Sequence, residues 1–567
     1  MTCTKFKLTT VAALVFAATN ANAVLYQVVE VATPSSITGA SETFGVAIQP
    51  ATVTGTESCF TTGTVGSVAC GDFKLAGETR DTLEAVSYRE EVPFAMDAPF
   101  QYIQERDDFE NYCYRELRYS TCESWADNRW YDTWNKERND LTYVNAKAFV
   151  EGGGTFETRN TVINSLDEDA KPLGVKSEGS IRNNALFTTT AGPTGTSETR
   201  AWKAIKASNG TVYNVGSVSE EFVPTDTSEP DKAYASKAAI WDGTTTKEID
   251  WIRSGDAKQG DYFAQGSMRS IVESGSGFYG VGYNTADGNG DLQDMNASVF
   301  VSDSLDLTGA TWTTTQISGA EVKSGSSNDD ARYSNSVATD INDNLFAVGY
   351  SKRNGYVPES GSAGNKPFVV TDAKKPTATY LSGGIFFGGS SGEAKAVNNF
   401  NEFVGQIDAE TTREVDGSER RHRGFIYPYN VSSSTEARRV DIFNGQAWWL
   451  DDLTNDGNVS GENNKFRIID ATDINDAGVI SATAIKCTVG GTTQPYDTTS
   501  HNSYCGGASS NAVEEVVAVK LVPIAGATKA DIQTRSADSE KVDRQGGSLG
   551  WLTLTVLGLL GFRRKFK

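Results

Sequence analysis

The sequence predicts an all-β chain: a repeat-built, propeller-like body of about 6–8 blades, with tandem β-sandwich modules as the alternative. Three observations predict it. A short hairpin motif recurs in fixed register. Strand-like runs and Gly, Ser and Thr turns dominate (55 Gly, 14 Pro), while helix-period patterning is rare. The 567 residues are too many for one ordinary core unless that core is built by radial repetition.

The motif is clearest from Ala338 to Tyr350, Ala-Thr-Asp-Ile-Asn-Asp-Asn-Leu-Phe-Ala-Val-Gly-Tyr. It reads as a short strand, an Asn/Asp turn and an apolar strand ending Val-Gly. A turn residue stands seven places before a small one at Asn209 and Gly216, Gly275 and Gly282, Asn342 and Gly349, Asn398 and Gly405, and Asn475 and Ala482. Asn and Asp bond their own backbone and tolerate positive φ, which suits tight turns. The small residue in a strand predicts a close backbone approach or a bulge. A second apolar strand follows most copies, as at Ala239-Ile240-Trp241, Val299-Phe300-Val301, Phe368-Val369-Val370 and Phe425-Ile426-Tyr427. Each unit therefore holds at least three strands. The small residues recur at spacings of 66, 67, 56 and 77 residues. That is somewhat above the ~40–50 residues of a propeller blade, and long loops account for the excess.

Met1 to Ala23 (residues 1–23) reads as a secretory signal: Lys5 and Lys7, an apolar run from Leu8 to Ala18, and a small-x-small site ending at Ala23. The β-repeat body is expected over 24–524. Val24 to Val31 is a strong strand, and Gly39 to Ala47, with Phe44-Gly45-Val46-Ala47, reads as a worn first repeat. Val516 to Leu521 is the last clear strand. In a closed propeller the first strand often completes the final blade, so these two ends are expected side by side.

Residues 104–150 differ from the rest. They are dense in charge and aromatic rings and read as a small helical insertion. Phe109, Cys113 and Leu117 fall on one helix face, and Trp130 and Trp134 repeat that spacing. Rings at helical spacing are usually core; an aromatic binding platform is the other reading.

Six cysteines remain after the signal: Cys59, Cys70, Cys113, Cys122, Cys487 and Cys505. An even set in an exported chain predicts disulfides, and proximity pairs them in sequence order. Zinc fits poorly, since only His422 and His501 are present and there is no Cys-x-x-Cys.

No stretch carries a persuasive catalytic signature, and no catalytic or cofactor-binding residue is assigned. Gly388-Gly389-Ser390-Ser391-Gly392 matches G-x-S-x-G but lacks the strand-turn-helix context and a basic partner. Asp287, Asn289 and Asp291 alternate oxygen ligands as calcium loops do, and Asp452, Thr454, Asp456 and Gly457 mimic the start of an EF-hand loop. Position twelve of the latter is Asn463 rather than Glu, and solvated turns are the alternative in both.

Residues 525–545 are polar and read as a flexible linker. Residues 546–567 combine Gly546-Gly547, a short apolar helix from Leu549 to Phe562, and the basic tail Arg563-Arg564-Lys565-Phe566-Lys567. The fourteen residues from Leu549 to Phe562 fall short of the ~20 that span a bilayer comfortably. This three-part order resembles the GlyGly-CTERM sorting signal of Gram-negative bacteria. The resemblance implies cleavage near Gly546 and Gly547 by a rhombosortase-like intramembrane protease, type II secretion, and delivery to the cell surface or medium. Signal peptidase would act at Ala23. Both ends carry basic residues and no acids, so trimming deepens the net charge from −22 to −28. That balance argues against nucleic acid.

The near-duplicates Asp340-Ile341-Asn342-Asp343 and Asp473-Ile474-Asn475-Asp476, with Arg423-Gly424-Phe425-Ile426-Tyr427 and Trp449-Leu450-Asp451-Asp452-Leu453, resemble the HAF-type extracellular repeat. The match is degenerate: the His-Ala-Phe element stands here as His422-Arg423-Gly424-Phe425. With both end signals, the chain is similar to secreted bacterial proteins of unknown function that carry a GlyGly-CTERM tail. The expected function is an exported binding or structural module for an unidentified extracellular ligand; an extracellular hydrolase or lyase is the alternative.

Overall fold

A computed structural model describes residues 24–535 apart from stretches of which the longest are 81–104, 223–232, 287–294, 322–335, 353–363, 410–420, 430–438, 494–503 and 506–512. Residues 1–23 and 536–567 also lie outside the described set.

The described residues form six antiparallel blades of a β-propeller, five of four strands and a sixth with a short fifth strand, Thr492–Thr493. The first uses Glu42–Ile48, Leu75–Arg80, Ala146–Val150 and Thr155–Phe156. A three-stranded sheet follows, Thr161–Leu166, Pro172–Glu178 and Ile181–Leu186. The second to fifth blades begin with innermost strands Thr199–Lys206, Gly266–Ser274, Ser336–Ile341 and Gly392–Val397. The sixth runs Phe466–Ile474, Ile480–Val489 and Val513–Pro523, and Tyr26–Glu30 completes it. Tyr26 pairs with Pro523 and Glu30 with Val519, so the expected closure of the ring by the first strand holds.

Successive innermost strands, that of the three-stranded sheet included, lie side by side round the axis. The core sits between neighbouring blades, because each sheet is apolar on both faces. Val281, Val299 and Val272 of the third blade pack on Ile341, Phe368 and Val370 of the fourth. Val348, Val369 and Phe346 of the fourth meet Phe403, Ile407 and Phe425 of the fifth.

Each innermost strand carries a bulge, and the recurring small residue faces it. The pairing register slips between Ala201 and Lys203, Met268 and Ser270, Ala338 and Asp340, and Ala394 and Ala396. Gly216, Gly282, Gly349 and Gly405 pair with the residue just before each slip. A Cβ on Gly216 would lie 1.8 Å from the Arg200 oxygen, and one on Gly405 1.9 Å from the Glu393 oxygen. The extra residue needs that room, as the strand pattern predicts.

Asn342, Asn398 and Asn475 occupy equivalent corners. Each backbone N–H donates to the residue four places on, Phe346, Glu402 and Val479, and each side-chain oxygen accepts from that residue's N–H. The left-handed position falls on Leu345, Asn401 and Gly478. Two members of the expected register differ. In the second blade Ala207 takes the corner, bonding Thr211, and Asn209 sits two places further on, because the hairpin is longer. In the third, Gly275 lies in a tight turn between the paired Ser274 and Gly277.

The insertion expected at 104–150 is shorter than that: Ala146–Val150 is the third strand of the first blade, paired with Leu75–Arg80, and the helices lie before it. Its described helices are Arg106–Tyr112 and Glu123–Arg129, continued by a wide turn over Trp130–Trp134. Phe109, Cys113, Trp125 and Trp134 are buried together with Trp130 against them, so these rings form a core of their own. Leu117 lies outside the described residues.

Ala525 to Arg535, expected as the start of a flexible linker, instead lie against the body. Ala527 is buried and Ile532 packs beside it. Arg535 donates from its backbone to Asp452 and from its guanidinium to Phe466 O and Asn464. One buried arginine outweighs the polar composition that suggested a linker.

Candidate functional site

The bulge decides what faces the axis. Val46, Asn164, Trp202, Arg269, Thr339, Lys395 and Thr472 are extra residues of the innermost strands, the last of which carries a second at Ile469, and these seven line one central channel of about 740 Å³. That volume falls within the ~300–1,000 Å³ common for small-ligand sites.

Three of these residues join blades. Asn164 Nδ2 donates to Ala201 O at 2.8 Å, Thr339 Oγ1 to Ala394 O at 2.7 Å, and Thr472 Oγ1 to Gly45 O at 3.0 Å. Each acceptor is the residue just before the next bulge. The following aspartate continues the clasp: Asp340 accepts from Val397 N at 2.9 Å and Asp473 from Ile48 N at 2.9 Å. The corner asparagine completes it, Asn342 donating to Asn398 O at 2.8 Å and Asn475 to Gln49 O at 3.0 Å. Ala-Thr-Asp-Ile-Asn-Asp, present at 338–343 and 471–476, is thus a blade-to-blade clasp. Its last residue extends the network, since Asn399 Nδ2 donates to both Asp343 and Asp476 at 2.9 Å.

Trp202, Arg269 and Lys395 bring large side chains to the same positions. The Arg269 guanidinium lies 3.6 Å from the Trp202 ring centroid and 5.5 Å from that of Tyr283. Lys395 Nζ reaches Asp470 at 2.6 Å and Glu393 at 3.7 Å. Lys203, next to Trp202, extends to Asp340 at 2.6 Å, where Ser270 Oγ also donates at 2.6 Å. The Lys203 side chain is 36% accessible although wall surrounds it, because it projects into the lumen. Burial opposes its charge, but Asp340, then Asp473 and Asp343, outweigh that and raise its pKa. Burial pushes Asp473 up to about 7; the Ile48 N–H and Lys203 pull the other way. Ten carboxylates and four basic side chains line the channel.

Residues 208–565 match the family model described as "Protein of unknown function (DUF3466)". The chain belongs to that family. The match takes in the third to fifth blades and most of the second and sixth; it leaves out the first blade, the three-stranded sheet, the strand Thr199–Lys206 that carries Trp202 and Lys203, and the closing strand Tyr26–Glu30. No curated protein matches the chain. A solved structure titled "The GH130 family of mannoside phosphorylases contains glycoside hydrolases that target beta-1,2 mannosidic linkages in Candida mannan" is similar at 6% identity and a TM-score of 0.22, over 57% of this chain and 84% of that one. Overlap that low bears no argument.

The sequence-predicted positions in this DUF3466 protein lie elsewhere. Asp287, Asn289 and Asp291 are outside the described residues, as are Ala23, Gly546 and Gly547. Among the described residues no cluster of three His, Cys, Asp or Glu is placed to hold a metal, and no helix is long and apolar enough to cross a membrane. The EF-hand-like stretch is structural: Asp452 accepts from Arg535 N, and Asn463 accepts from Val28 N while donating to Tyr26 O and Thr454 O. Ser390 Oγ donates to Phe387 O within a turn that leads into a strand, so no nucleophile elbow forms. His422 meets Asp408 at 3.3 Å, and Asp408 accepts the Ser391 N–H, a bond that positions backbone.

The three disulfides pair as expected. Cys59–Cys70, Cys113–Cys122 and Cys487–Cys505 have Cα separations of 5.8, 5.7 and 5.5 Å. The channel side chains were missed. From Trp202 to Gly216 is 14 residues and from Thr339 to Gly349 is 10, so unequal hairpins hide the shared bulge from a count back from the glycine.

Proposed function

We propose that this DUF3466 protein is an exported binding module that holds a small polar ligand in its central channel. One observation carries the reading. The bulge that serves as a clasp in some blades is given to Trp202, Arg269 and Lys395 in others, and these line the lumen. Large aromatic and charged side chains at positions where a threonine suffices for architecture mark a recognition surface. Export rests on the residues at both ends. Signal peptidase would cut after Ala23, a rhombosortase-like protease near Gly546 and Gly547, and type II secretion would carry the product to the surface or medium. Three disulfides suit that oxidising destination. Mass spectrometry of the secreted protein tests this part: a chain that begins at Met1 or ends at Lys567 contradicts it. Binding is tested by pull-down of envelope polysaccharides and peptides. Retention that disappears with Trp202→Ala and Lys395→Met supports the channel; retention unaffected by both overturns it.

The second reading is an extracellular hydrolase or lyase on this scaffold. Asp473 favours it, since a lumen carboxyl whose pKa lies near 7 suits general acid–base work. Turnover of any substrate in a polysaccharide and ester panel, abolished by Asp473→Asn in a folded variant, would establish it.

A further inference from the structure

We infer that the channel ligand is a neutral, polyhydroxylated molecule: a sugar ring or short uncharged oligosaccharide seated between the Trp202 platform and the two lumen ion pairs. This rests on the proposed channel site and names what that site takes.

The charge balance excludes one class first. Carboxylates outnumber basic side chains ten to four in the lining, so a phosphate, sulfate or uronate would enter a repulsive field within low-dielectric walls. Two of the four basic groups are also already engaged. Lys203 holds Asp340 at 2.6 Å and Lys395 holds Asp470 at 2.6 Å. An anion would have to displace a carboxylate from each.

Fixed ion pairs serve hydroxyls well. A carboxylate paired with one ammonium keeps lone pairs for a hydroxyl hydrogen, and the ammonium keeps N–H groups for a hydroxyl oxygen. Each sugar hydroxyl both donates and accepts, so two such pairs set into the wall can bond hydroxyls without either pair breaking. Asp340 is anchored further by Val397 N and Ser270, which fixes where its oxygens stand. Recognition groups held rigidly before binding lose little entropy when the ligand arrives.

Trp202 supplies the apolar counterpart. The C–H face of a sugar ring is hydrophobic, and a flat, rigid indole suits it. Arg269, itself only 6% exposed, stacks on this ring at 3.6 Å and holds it in place. Arg269 thereby acts as a positioning residue for the Trp202 ring. One fixed aromatic plate beside mixed donors and acceptors suits a ring that is apolar on its face and polar at its rim.

Saturation-transfer NMR on the secreted chain tests the inference with four probes: mannotriose, cellotetraose, trigalacturonate and spermidine. A neutral probe should give saturation transfer, weakened about tenfold in affinity by Trp202→Ala and less by Trp202→Phe, which keeps a flat ring. Lys395→Met should weaken it independently. Circular dichroism of each variant separates lost binding from lost fold. If spermidine or trigalacturonate binds and Trp202→Ala removes it, the channel stands as a site and the sugar assignment falls. If no probe binds, or binding survives Trp202→Ala and Lys395→Met unchanged, the inference is overturned, and in the latter case the channel reading with it.

Discussion

Asn475 Nδ2 donates to the backbone oxygen of Gln49 at 3.0 Å, joining residues 426 apart in sequence and the last blade to the first. The same bond, from Asn342 to Asn398, joins the fourth blade to the fifth at 2.8 Å. A propeller has no continuous sheet to hold it shut, so side chains reaching sideways to a neighbour's backbone do the work that a ladder does within a blade.

Asn475→Ala is expected to destabilise the protein by about 1–3 kcal/mol. The side chain is 5% exposed, and its loss leaves the Gln49 oxygen and the Val479 N–H without a partner each. Urea unfolding followed by tryptophan fluorescence measures it, and an exposed Asn, such as Asn209 at its turn, serves as the comparison.

Two glycines in one hairpin separate sterics from conformation. Gly216→Ala places a Cβ 1.8 Å from Arg200 O, against backbone that cannot give without undoing the bulge. A loss of roughly 2–4 kcal/mol follows, or failure to fold. Gly210→Ala meets nothing within 4 Å but stands at φ 83°, which costs about 1 kcal/mol. Equal losses at both sites would remove the bulge as the reason for the recurring glycine.

Asp473 links stability to pH. Burial raises its pKa to about 7 in the folded protein, above the ~4 of an unfolded carboxyl. The folded state therefore holds the proton more tightly. Stability from this group is full below pH ~4 and is lost as pH rises through about 7. Asp473→Asn keeps an acceptor for Ile48 N and removes the charge. Relative to the parent it should gain roughly 1–2 kcal/mol at pH 8 and little at pH 4. Denaturant midpoints at the two pH values decide it.

The helical insertion has its own small core and its own disulfide. Replacing Cys113 and Cys122 by serine should raise amide exchange across residues 106–134 and leave the blades protected. Exchange mass spectrometry reads both regions in one experiment.

The sequence made the repeated hairpin legible because Asn corners and a Val-Gly strand are short-range chemistry. Asn342, Asn398 and Asn475 could be aligned by counting, and Cys59–Cys70 and its two counterparts by nearness. Closure of the ring by Tyr26–Glu30 followed from topology alone. What could not be read was anything set by distance across the ring. The partner of Lys203 is Asp340, 137 residues on, and the partner of Lys395 is Asp470. Asn209 and Gly275 matched the count yet do not hold the corner position, since strand length varies between blades while the bulge does not. Arg535 shows the same limit: its polar neighbours suggested a linker, and only the folded body reveals the acceptors that bury it.

The claim that one hexapeptide closes the ring by clasping the next blade's backbone is tested most directly by hydrogen exchange in Asp473→Ala. Ile48 N donates to Asp473 at 2.9 Å, and Val397 N to Asp340 at 2.9 Å. The account predicts faster exchange at Ile48, in a strand 425 residues away, with Val397 unchanged, and the reverse pattern in Asp340→Ala. Exchange that rises only within the mutated hairpin, leaving Ile48 as protected as before, would contradict it.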